Sequence, residues 1–375
     1  MNDVLLTVSG TIPEGIEAEI AAGRLPRKDY LELARAFGAD LLDYEGALEV
    51  SGRLGRWLER VGGPNLVLAW ASFLLRSRYR VIFTDGEQIG IPLALLLKAA
   101  GGAARPRHLM IAHILSVGKK MLLFDRLGLQ SHIDTFFVYS TWQKRFIESR
   151  WKVPGERVVF TPFMVDDRFF SPEADTRRNE RLEVERLAGP RICSVGLEFR
   201  DYPTLLEAVR GLDVRVVLAA ASPWSKRPDT TAASEIPENV LVRRFNQYDL
   251  RRVYAASRFV VMPLYEVNFQ AGVTAILEAM AMGKAVICSQ TPGQTDVIVA
   301  GETGLYVPPG DPAVLREAIV YLLEHPEEAD RMGANGRRRV IAEMNLDRYA
   351  GRLGRYVSEA RAGVSGSTEG SIVKS

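Results

Sequence analysis

The chain has 375 residues, room for two or three domains of roughly 150 residues each. Hydrophobic residues make up 47% and charged residues 25%, which excludes a disordered, collagenous or repeat-tract chain. With 48 basic against 46 acidic residues the formal charge is +2, too balanced for a nucleic-acid coat or an acidic solvating protein.

Residues 1–10 lack a basic n-region and read as a strand, not a signal peptide. Short apolar runs follow at 4–8, 39–42, 81–84, 109–115, 135–139 and 158–161, with amphipathic segments at 28–37, 88–99 and 141–151 between them. The most apolar stretch, 65–75, is about half the roughly 20 residues of a bilayer span. Residues 166–189 are charge-rich, end at Pro190 and read as a linker. A second series predicts strands at 192–195, 214–220, 240–242, 259–263, 285–288 and 304–307. Its helices fall at 202–209, 248–256, 274–282, 312–323 and 329–344. Strands alternating with helices of this length specify an α/β fold with parallel sheets covered on both faces. Two Rossmann-like, doubly wound domains facing a cleft are expected, residues 1–165 and 166–345. A last helix, 346–360, has no strand after it and is expected to pack back on the first domain. The small polar tail, 363–375, has little to bury and is expected to be disordered.

Cys193 and Cys288 lie 95 positions apart in apolar runs and read as reduced core thiols of a cytoplasmic protein. The first strand is followed by Ser9-Gly10-Thr11-Ile12-Pro13, not GxGxxG, and no GxxxxGK[ST] loop occurs. Nicotinamide and P-loop chemistry therefore lose ground. His108, His113, His132 and His325 show no paired-ligand spacing, so no protein-held metal is expected.

In open α/β sheets ligands bind beyond the carboxyl ends of the strands. The segment 260–287 reads as buried strand, loop, helix, turn and buried strand. Gly272 allows close backbone approach, and the free N–H groups of Val273, Thr274 and Ala275 make an anion site at the positive end of the helix dipole. Glu278 is a carboxylate in an otherwise apolar helix. Taken alone, it reads as a locally paired residue.

Glu278-Ala279-Met280-Ala281-Met282-Gly283-Lys284-Ala285-Val286-Ile287 resembles the C-terminal signature of retaining glycosyltransferases of the GT-B fold, in particular the large family 4, also called glycosyl transferases group 1. Similarity continues through 194–208, 139–146, 162–172, 291–298 and 301–311. The resemblance implies that Glu278 grips the ribose hydroxyls of a nucleoside-diphosphate sugar, UDP- or GDP-linked. With seven residues between the two, Gln270 stands before it, where the family has an acid against the transferred sugar. Glu266 is the alternative contact from further up the loop. Arg200 takes the place of the family's diphosphate-binding Lys, while Leu197 stands at its Arg. A bidentate guanidinium suits both roles.

Softer donor contacts are Trp224, Lys226 and Arg227 in one loop, with a plain surface loop as the equal alternative. Arg243 and Phe245 lie where the family holds the nucleobase. In the first domain the resemblance points to His113 against donor sugar or acceptor, and an isolated His there also reads as structural. Asp85 and Glu87 are acceptor candidates, Asp85 equally an N-cap. Gly10 and Thr11 are expected to border the acceptor pocket.

The activity implied is transfer of a hexose to a glycan, lipid or small-molecule hydroxyl with retention. Arg200, Gln270 and His113 are the reacting-centre residues of this reading, which calls for no metal or further cofactor and no nucleic acid. A nucleotide-sugar 2-epimerase and a non-catalytic nucleotide-sugar-binding protein are its rivals. Segments 70–80 and 119–126 mix apolar and basic residues, as interfacial helices do, so peripheral contact with the inner membrane face is weighed against solvated basic edges on core helices. Nucleotide, sugar, acceptor and oligomeric state are not encoded legibly.

Overall fold

A computed structural model describes residues 2–101, 105–174, 182–219 and 235–363. The chain divides into two compact units. Unit 1 holds residues 1–16, 28–161 and 350–375, and unit 2 holds 17–27 and 162–349.

The elements are β1 (Val4–Thr7), α1 (Ile16–Ala21), α2 (Asp29–Phe37), β2 (Ala39–Leu42), α3 (Tyr44–Gly62), α4 (Pro64–Leu75), β3 (Val81–Thr84), α5 (Glu87–Ala100) and β4 (Arg107–Ala112). There follow α6 (Gly118–Leu127), β5 (Thr135–Val138), α7 (Thr141–Trp151) and β6 (Val158–Phe160). The unit 1 sheet is parallel throughout, in the order β2-β1-β3-β4-β5-β6. Its strands are continuous apolar runs because both faces are covered. Leu5 and Ile82 pack on Val67 and Leu68 of α4, whereas Met110 and Phe136 join a separate cluster with Phe124 and Trp151. Gly38, in the left-handed region, stops α2, and its N–H donates back to Ala34 O.

Unit 2 continues with α8 (Glu183–Arg186), β7 (Arg191–Val195), α9 (Tyr202–Val209), β8 (Arg215–Ala219), β9 (Val240–Arg243), α10 (Gln247–Ala256), β10 (Phe259–Met262) and α11 (Val273–Ala281). Then come β11 (Ala285–Ser289), β12 (Gly304–Val307), α12 (Pro312–Glu324) and α13 (Pro326–Arg339), and α14 (Leu346–Ala362) starts in unit 2 and belongs to unit 1 from Ala350. Its sheet runs β12-β11-β10-β7-β8-β9, again all parallel. Alternate residues feed opposite cores: Ile192, Val216 and Val261 face α9 and α12, while Cys193, Val217 and Val260 face α10 and α11. Both cysteines are free and buried.

Two sequence expectations change. The helix predicted over 329–344 ends at Arg339 and closes in a π-turn, Val340–Met344. The segment 70–80 holds the end of α4, a core helix whose Val67, Leu68, Ala69, Ala71 and Ser72 are buried, so its apolar character belongs to unit 1 packing. On α6 the basic and apolar mixture does reach the surface, with Leu122 exposed between Lys119 and Arg126. Among the described residues no helix is long and apolar enough to cross a membrane. Beyond Gly363 the expected tail lies outside the described residues.

Candidate functional site

In unit 2, β7 lies between β8 and β10, so the sheet order reverses there. Loops at such a point diverge and leave a crevice. The loops in question are 196–201 and 263–272. They are laced together: Asp201 N donates to Pro263 O at 3.0 Å and Tyr265 N to Phe199 O at 3.1 Å. Arg200 and Leu264 form an antiparallel bridge, and Phe199 meets Phe269 edge-on at 4.9 Å.

Arg200 is buried despite its charge. Its Nε donates to Val195 O at 2.9 Å and its Nη1 to Glu198 O at 2.7 Å. Nη2 points between Gly196 and Gly272, where an added Cβ would come within 2.6 and 3.0 Å of it. Both glycines have positive φ, 98° and 73°, so a side chain at either would be strained as well as crowded. Burial pushes the guanidinium pKa down, yet arginine stays charged. Among the described residues Nη2 has no hydrogen-bond acceptor.

Gly272 is also the left-handed N-cap of α11, and no side chain caps this helix. The first-turn N–H groups of Val273, Thr274 and Ala275 thus open beside Arg200, a positive end next to a positive side chain. Thr274 is exposed and Val273 buried. Gln270 precedes them, its Oε1 buried without a partner among the described residues, and Glu266 is exposed further out on the loop.

One turn into α11, Glu278 is buried, and Tyr254 Oη of α10 donates to its Oε2 at 2.8 Å. Burial raises the carboxyl pKa to about 7 against the lowering effect of the Tyr254 bond. No described residue donates to Oε1. The Tyr254 hydroxyl is itself pushed well above its ordinary value by burial and by Glu278.

Sequence reasoning missed Tyr254, which looks like a helix core aromatic, and Gln294. The latter is fully buried, its Nε2 donates to Ala271 O, and the Tyr306 hydroxyl donates to Gln294 O. It ties the loop after β11 to the residue before Gly272. Arg243 is exposed at the end of β9, and Phe245 is half-buried against the unit 2 core. Trp224, Lys226 and Arg227 lie outside the described residues.

Unit 1 has its own cluster where the loops after β1, β3 and β4 leave the sheet. Asp85 is no N-cap: Gly86 occupies that position without a side-chain cap. Its carboxylate instead accepts from Thr7 Oγ1 at 2.7 Å and Ser9 N at 2.6 Å. Burial raises the Asp85 pKa against these bonds. His113 Nε2 lies 3.1 Å from Asp85 O. A carbonyl only accepts, so Nε2 carries the proton and Nδ1 is the basic nitrogen. Glu87 accepts from His113 N at 2.8 Å, Ile114 N at 3.2 Å and Lys120 Nζ at 2.7 Å. Burial alone would raise its pKa, but His113 and Lys120 hold it below the usual value. Glu87, the first residue of α5, therefore fastens the loop after β4 and the start of α6.

Asp29 was not anticipated. Burial and the charge of Asp85 raise its pKa, and His113 opposes them, which places two carboxyls and an imidazole in one field. Gly10 O accepts Tyr44 N at 3.1 Å, and Thr11 is exposed. Among the described residues no cluster of three or more His, Cys, Asp or Glu could hold a metal ion.

The family described as Glycosyl transferases group 1 matches residues 190–325, the stretch that carries Arg200, Gln270, Gly272 and Glu278. D-rhamnosyltransferase WbpZ of Pseudomonas aeruginosa is 34% identical over 173 residues, and the match covers 45% of this chain and 45% of that relative. This chain thus spans about half the length of that protein. Alpha-D-kanosaminyltransferase of Streptomyces kanamyceticus is 25% identical over 310 residues, 72% of this chain and 78% of the relative. Among solved structures, Anabaena HepE in complex with UDP and glucose superposes with a TM-score of 0.68 at 12% identity, covering 96% of this chain and 100% of that one; at that identity it shows the fold. The fold is that of GT-B glycosyltransferase structures, and within it residues 190–325 match the Glycosyl transferases group 1 domain.

Proposed function

We propose that this chain is a retaining hexosyltransferase that moves a sugar from a nucleoside-diphosphate sugar to an acceptor hydroxyl. The observation that carries the reading is the convergence, at one switch point, of the uncapped α11 N-terminus, the free Nη2 of Arg200 and the open Oε1 of Glu278. Amides and guanidinium match a diphosphate, whose charge grows as the sugar–phosphate bond breaks, and such preorganised donors are the strongest catalytic effect available to a site of this kind. Glu278 accepts ribose hydroxyls, each bond contributing about 1.5–3 kcal/mol when the acceptor is ionised. Gln270 reaches the transferred sugar with a neutral acceptor, which orients hydroxyls and gives less help to positive charge at the anomeric carbon than a carboxylate would. On the acceptor side, His113 Nδ1 receives or relays the hydroxyl proton, with Asp85 holding the first loop in place. The relatives' names as sugar transferases and the UDP and glucose bound by the Anabaena protein support the donor class.

Calorimetry with UDP, GDP, ADP and their sugars tests this. Glu278→Ala should weaken the preferred nucleotide by about tenfold, and Gln270→Ala should lower turnover more than affinity. Unchanged affinity in the Glu278 variant sinks the ribose assignment. The uncharged Gln270 favours one second reading, a non-catalytic nucleotide-sugar binder, which would bind donor and yield neither transfer nor hydrolysis across an acceptor panel.

A further inference from the structure

α3 breaks at Gly52, where φ is 55° and ψ −134°, so residues 53–62 form a separate helical limb. Its inner side carries Gly55 and Leu58, which packs against the unit 1 core. Ser51 and Gly55 are buried, and a Cβ on Gly55 would lie 3.5 Å from Val67 of α4. The outer side carries Leu54, Trp57 and Val61, 47%, 58% and 67% exposed. Steps of three and four place these three on one line of the helix. Val50, just before the break, is 39% exposed. Nothing in the core of unit 1 uses this line, and large apolar residues left contiguous at a surface mark a contact.

Arg53, Arg56 and Arg60 each precede one of the three apolar residues, so a basic stripe follows the apolar line, rotated by about 100°. Among the described residues none of these arginines has a hydrogen-bond or ion-pair partner. Glu59 is the sole acid of the limb. We infer that residues 53–62 dock on the surface of an anionic lipid bilayer, the apolar line seated at the acyl boundary and the guanidiniums among headgroup phosphates. The charge decides between occupants. A second copy seated on the same face would bring both sets of guanidiniums to one seam, whereas anionic headgroups neutralise them. The inference stands apart from the transfer reading, since docking needs neither donor nor acceptor.

The test is co-sedimentation of the full chain with vesicles of phosphatidylcholine alone and of phosphatidylcholine mixed with phosphatidylglycerol. Binding to the anionic vesicles only is expected. The triple variant Leu54→Ser, Trp57→Ser, Val61→Ser should lower the bound fraction at least about tenfold, and so should Arg53→Gln, Arg56→Gln, Arg60→Gln. Both should keep the wild-type Tm and nucleotide affinity, because the altered side chains are exposed. Absence of binding to anionic vesicles overturns the proposal. So does undiminished binding by either variant, or a dimer in sedimentation velocity that the serine variant dissolves while lipid binding is absent.

Discussion

Glu278 gives the site a pH signature of its own. Its carboxyl, raised by burial from 4.5 to about 7, keeps a proton in the folded chain over a range in which the unfolded chain has lost it. The folded state binds more protons there, so this group makes stability fall as pH rises from about 4.5 to 7 and leaves it level above that. Glu278→Gln abolishes the loss. Urea unfolding should find the variant about 3 kcal/mol more stable relative to wild type at pH 8 than at pH 4, and the same difference at both pH values would refute the assignment. Ionisation also makes Glu278 a pure acceptor, so donor affinity in the wild type should rise through pH 7 and stay flat in the variant. Glu278 stood out in the sequence because an acid interrupts an apolar helix. Tyr254, which shares its hydrogen bond, did not, since a tyrosine on a helix flank looks the same whether it packs or pairs.

Among the elements, α11 and α13 show how packing reassigns a residue. Gly333 sits inside α13, where sequence alone counts it as a weak helix former, about 1 kcal/mol worse than alanine. In the fold an added Cβ would lie 2.0 Å from Gly283 O, in the turn that ends α11. The glycine is there for the crossing. Gly333→Ala should therefore destabilise by at least about 2 kcal/mol in spite of its better helix propensity, read as a fall in Tm. A rise in Tm would show that the turn yields. The break in α3 at Gly52 was invisible for the same reason: the hydrophobic pattern runs through it, and only the position of α4 shows which side of each limb is inward.

At the scale of the whole molecule the chain trades segments between its units. Residues 17–27 cluster with unit 2, where Arg27 pairs with Asp166 at 2.9 Å and Asp347 at 2.7 Å. From Ala350 onward α14 belongs to unit 1. There Leu353 and Val357 are buried, Tyr356 meets Phe137 at 5.5 Å, and Arg361 pairs with Asp3 at 2.8 Å. Ending the chain at Tyr349 strips these contacts and should lower Tm by roughly 10 °C or more; an unchanged melting curve would make this stretch dispensable.

Periodicity determined the strands and most helices, because a strand buried on both faces must be apolar along its whole length and a covering helix must be apolar on one side. The glycine before α11 and the acid within it were legible too, since a free helix N-terminus and a buried carboxylate are local features of the chain. Tertiary structure decided the rest. It threaded the Arg200 guanidinium between Gly196 and Gly272, tied Glu87 to the loop after β4, brought Gln294 and Tyr254 to the site, and turned Leu54, Trp57 and Val61 outward. Each outcome depends on which atoms meet across loops far apart in sequence, and a linear pattern carries no record of that proximity.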